Sequence, residues 1–178
     1  MTRSPMRATM VFGLVCGLLF VPGLTVLRPL MGGPLAFRLL IWLCLAGYAL
    51  LLAGWGTARR SALLFPVGMA AAMALVAPTR GVFLLLSLAT LAWIRGGIVF
   101  PGRPLRNAAA ELFLIFGGAG LVLVFAPGTA VQWALAIWLF FVLQSLYFAR
   151  GETVGESEEA DPFEKARREA ERILSGTP

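Results

Sequence analysis

Histidine is absent from the 178 residues, lysine occurs once, and only one acidic residue, Glu111, precedes position 150. Without imidazole the chain cannot build most haem b sites, most zinc-hydrolase sites, or any Ser-His or Cys-His nucleophile pair. No catalytic residue, cofactor or metal site is therefore assigned from the sequence. Cys16 and Cys44 both stand inside apolar runs and are expected to behave as small buried hydrophobes, not as a disulfide or a metal pair.

Charge is also scarce. Charged residues make up 13% of the chain and hydrophobic ones 59%, against about 25% and about 45–50% for ordinary soluble domains. Water is not the solvent such a composition suits, and the expected fold class is all-α, a polytopic membrane protein. The formal charge of +6 divides unevenly. Residues 1–149 carry ten arginines and Glu111, a net +9, whereas residues 150–178 carry five basic and eight acidic groups, a net −3. Arginines that punctuate apolar segments act as topology determinants, whereas nucleic-acid binding needs a basic stripe on a solvated surface. Nucleic acid is therefore excluded as a partner.

Apolar runs predict six transmembrane helices in three hairpins, over about residues 8–27, 35–56, 61–77, 81–100, 108–126 and 130–149. The first follows Arg3 and Arg7 but has no Ala-x-Ala-like cleavage site after it, so it is expected to be a retained span, kinked or broken at Pro22-Gly23. Residues 28–34, with Pro29, Gly32, Gly33 and Pro34, have the composition of a short loop. The third span, at about 17 residues, is near the lower limit for crossing a bilayer. With the N-terminus in the cytoplasm, eight arginines fall on the inner side and only Arg28, Arg38 and Arg80 on the outer. That asymmetry predicts an N-in, C-in topology in a bacterial inner membrane.

The expected domain organisation is a transmembrane domain over 1–149, an acidic flexible linker over 150–160 and a cytoplasmic amphipathic helix over 161–175. Asp161, Pro162 and Glu164 supply N-cap, N1 and N3 signals for that helix. Phe163, Ala166, Ala170, Ile173 and Leu174 then share one face, a candidate partner-binding surface.

Five charged residues are candidates for functional, lipid or partner contacts. Glu111 opens the fifth span, where an acid either pairs with nearby arginines or serves a proton or cation. Arg95 lies deeper in its span than the other inner arginines, followed by Gly96 and Gly97. It can snorkel to the interface or, with Arg103 and Arg106, hold an anionic head group. Arg38, one turn into the second span, is the outer counterpart. Gly13 and Gly17 in the first span, with Gly117 and Gly118 in the fifth, are candidates for close helix packing, either within the bundle or against another protein.

Six spans in a small protein resemble rhomboid proteases, but the Gly-x-Ser-x-Gly-like nucleophile and the histidine of that family are missing. Few polar groups converge within the spans. The expected function is thus a non-catalytic membrane subunit that scaffolds or anchors a larger complex, with lipids and proteins as its partners, or a homo-oligomer. A small oligomeric channel or transporter using Glu111 and Arg95 near the cytoplasmic mouth is the first alternative, and a lipid-handling protein the second.

Overall fold

In the computed structural model the described residues are 5–55, 59–99, 112, 116–118, 120 and 128–158, and among them there is no strand. The protein is all-helical. Helix α1 is Pro5–Met31, α2 is Gly33–Ala53, and a 3-10 turn, Arg60–Leu63, leads into α3, Leu64–Val76. Helix α4 is Arg80–Trp93 and passes directly into a π-helical turn, Ile94–Val99. The last helix, here α5, is Ala130–Glu158.

Three of these helices are long and apolar enough to cross a membrane: α1, α2, and α4 together with its π turn. Large apolar side chains stand on the outside of these helices, Leu18 in α1 (67% exposed) and Leu85 in α4 (57% exposed) among them. Side chains of that size exposed in number mark a surface adapted to lipid or protein instead of water. The protein is therefore membrane-associated. Segments 61–76 and 130–146 are apolar helices of shorter length.

Helix α1 departs from the sequence expectation. It is not broken at Pro22-Gly23, and it continues through Pro29 to Met31, so the expected loop over 28–34 shrinks to the neighbourhood of Gly32. A break inside an apolar environment would strand several backbone groups without partners, which outweighs the loss of one proline N–H. Near Pro22 the Thr25 hydroxyl donates to the Pro22 carbonyl at 2.7 Å. The turn itself is made by Gly32, whose φ of +82° lies in the region where a Cβ is strained. Its N–H still closes a bond to the Arg28 carbonyl at 3.0 Å, and its own carbonyl accepts from Ala36 at 3.0 Å.

Caps set the other starts. Thr79 accepts from the Val82 N–H at 3.2 Å at the head of α4. At the head of α5, Thr129 accepts from the Gln132 N–H at 3.3 Å while the Gln132 side chain accepts from the Gly128 and Thr129 N–H groups at 2.9 and 3.1 Å. Thr-x-x-Gln is thus a capping box, a role for Gln132 that its position in an apolar run had hidden.

α1 packs against both α2 and α5, and α3 lies between α2 and α4, so the chain's first and last described helices close the bundle against each other. The core is formed by Cys16 and Phe20 of α1, Leu45, Tyr48, Ala49, Leu52 and Ala53 of α2, Leu91 of α4, Ile94 of the π turn, and Ile137 with Phe141 of α5. The last helix runs on past Arg150 to Glu158, so the first part of the expected linker is helical. Residues 159–178, with the expected amphipathic helix, lie outside the described residues.

Candidate functional site

The interior of an apolar bundle should contain few polar side chains, and each should have its hydrogen bonds accounted for. Thr9, Ser87, Thr90, Arg95, Gln144 and Ser145 are buried. Three of them bond to their own helices: Thr9 donates to the Pro5 carbonyl at 3.0 Å, Thr90 to Leu86 at 2.8 Å and Ser145 to Val142 at 2.7 Å. Hydroxyls can turn back onto the i−3 or i−4 carbonyl in this way at little cost.

Arg95 cannot. It is 1% exposed, in the π turn that prolongs α4, and its Nη1 donates to Oε1 of Gln144, itself 1% exposed on α5. The sequence left Arg95 between snorkelling and head-group binding; the structure places it inside the bundle, held by a neutral amide. Two features permit this. The π turn widens the backbone, a distortion often found at functional sites, and Gly97 leaves room for the Trp93 indole, whose Cδ1 would be 2.8 Å from an added Cβ. Tyr48 belongs to the same layer: its ring lies 5.1 Å from that of Phe141, one turn before Gln144. The Arg95–Gln144 link therefore joins α4 to α5, with α2 packed beside it.

Arg38 is placed differently. Its Nη1 donates to the Ala74 carbonyl at 3.4 Å, in the last turn of α3, where a cation complements unpaired carbonyls and the helix dipole. Trp42, one turn on, donates to the Val67 carbonyl at 3.0 Å. Arg38 thereby fastens α2 to the end of α3.

The glycines of α1 are occupied within the chain. A Cβ on Gly13 would collide with Cβ of Phe141, and one on Gly17 would sit 2.8 Å from the Ala134 carbonyl oxygen, both on α5. Gly117 and Gly118 meet the same helix, at Leu143 and Phe140. Cys16 and Cys44 are free thiols that neighbour each other across α1 and α2, the register also shown by Phe12 against Gly47 and Leu40 against Gly23. Glu111, Arg103, Arg106 and the tail residues Phe163, Ala166, Ala170, Ile173 and Leu174 lie outside the described residues.

Next to the Arg95 layer is a cavity of about 100 Å³ between α2, α4 and α5, with Gly118 also in its wall. Ile41 and Tyr48 mark its extent on α2, Leu84 and Leu91 on α4, Trp133 and Phe141 on α5. Arg95 and Gln144 stand one turn beyond the end marked by Leu91 and Phe141. Among the described residues no group of three or more metal-ligating side chains converges. The arrangement can hold a charge in place and can accommodate an apolar group. No family model, no curated protein and no solved structure matches this chain.

Proposed function

We propose that the protein is a non-catalytic, six-span, N-in and C-in subunit of a bacterial inner membrane, which anchors or scaffolds a larger complex through its bundle and its cytoplasmic C-terminal segment. The observation that carries this reading is the employment of the buried polar groups. Thr9, Thr90, Ser145 and Arg95 are all engaged in bonds that hold helices in shape or to each other, and Arg38 ties α2 to α3. A transporter or pump needs convergent polar groups presented to a cargo near the midplane. Arg95 locked to Gln144 favours a fixed bundle over a conducting mouth.

Mild detergent extraction of the full chain, followed by native mass measurement and affinity pull-down, tests the reading. Stoichiometric co-purification of unrelated subunits, lost on removal of residues 159–178, is the expected result. A homo-oligomer alone, with ion flux in reconstituted vesicles, would replace it with the channel reading.

A further inference from the structure

The cavity between α2, α4 and α5 is unlike the rest of the interior. Its wall spans eight residues on α2 (41 to 48) and eight on α4 (84 to 91), about 10 Å at the helical rise of about 1.5 Å per residue. It is a slot parallel to the helices, with a volume of about 100 Å³. Tyr48 presents its ring, since its hydroxyl is itself buried, and the aromatic faces of Trp133, Phe140 and Phe141 line the opposite side. Ser87 supplies the remaining hydroxyl among the described lining residues. A buried water needs two to four polar partners, so a slot with this lining does not hold water well. Left empty, its walls forgo their dispersion contacts.

From this we propose that the slot binds one acyl chain of a membrane phospholipid. The inference rests on the multi-pass reading above, because the slot lies in the middle portions of α2 and α4, against the N-terminal half of α5, at the depth where lipid chains are the solvent. A chain segment is long, thin and flexible, as the slot requires, while a head group would bring charge and hydrogen-bonding demands that Ser87 cannot meet. Arg95, one turn beyond one end of the slot, is engaged with Gln144, and Arg38, one turn before the other end on α2, donates to the Ala74 carbonyl, so the slot recognises the tail and not the head.

The test uses the full chain, reconstituted with phosphatidylethanolamine and phosphatidylglycerol containing a phospholipid with a diazirine on its acyl chain. The protein is re-extracted, washed in detergent to strip loosely held lipid, and then irradiated. Adducts are expected on residues 84–91 and 133–141, with none left on the exposed α1 residues Leu14 and Leu18, and native mass measurement should show one retained phospholipid. Ala136→Leu, which pushes a side chain into the slot from α5, should abolish those adducts; Ser87→Leu does so from α4 if the first variant does not fold. Absence of adducts at the slot, equal labelling of α1 and slot, or adducts undiminished in a folded filling variant would overturn the proposal. Loss of the subunit reading in the pull-down experiment leaves this result unaffected.

Discussion

Helix α5 has two faces packed in opposite ways. Toward α1 it meets Gly13 and Gly17 so closely that a methyl group has no room, whereas toward α2 and α4 it leaves a slot of about 100 Å³. In water the hydrophobic effect would press both faces to similar density. In lipid, apolar burial alone gives helices no preference for one another, so close approach occurs where small residues allow backbone contact and where a polar pair fixes the spacing. The α1 seam has the glycines. The α4 side has Arg95 and Gln144, which hold the helices together at one level while bulky side chains hold them apart beside it.

Four single substitutions and one double variant break or sharpen that contrast. The largest effect is expected of Gly13→Leu, because the obstructing atom is Cβ of Phe141, which cannot move without the α5 backbone. Overpacking of this kind costs about 3 kcal/mol or more, measured by steric trapping or by thermal unfolding in detergent, and an unchanged stability would show that the seam is loose. Next comes Gln144→Leu, which leaves the Arg95 guanidinium without its amide partner and should cost about 2 kcal/mol. The double variant with Arg95→Met should recover most of that loss, since an apolar pair replaces a buried polar one without penalty; a double variant as unstable as the single one would argue against a direct pair. The smallest effect belongs to Gly118→Ala. Its added Cβ would stand 3.0 Å from the edge of Phe140, a slot-lining ring with space to yield. A change below about 1 kcal/mol is expected, whereas Gly17→Ala, facing a backbone oxygen at 2.8 Å, should cost more.

Much of the helical layout was legible from composition and punctuation. Apolar runs bounded by arginine, proline and glycine located α2, α3, α4 and the start of α5 to within a few residues, because a bilayer-compatible helix must satisfy its own backbone bonds and announces itself by length. Thr129 and Gln132 show a capping box in plain sequence, a signal that sequence analysis passed over. Pro22, by contrast, left a kink and a break both open, and the break is what the structure excludes: the helix is continuous where apolar surroundings give a broken backbone no partner.

The candidate site was only half legible. Arg95 stood out as a deep arginine before two glycines, but Gln144 was not among the candidates, and nothing in their separation of 49 positions joins the two. A rule that pairs solitary polar residues in different spans would have found them, since each is costly in lipid without a partner. Gly13 and Gly17 likewise left open whether they served the bundle or another protein.

Composition alone decided that this chain is helical and adapted to a membrane, because 59% hydrophobic residues without histidine and with almost no early acids leave few other solutions. Tertiary structure decided which helices touch: α1 against α5, Arg95 on Gln144, Cys16 beside Cys44, and the slot between α2, α4 and α5. The physical reason is one of range. Hydropathy and capping act within a helix turn or a bilayer thickness, whereas helix pairing in lipid depends on shape and on a few polar contacts between residues far apart in the chain.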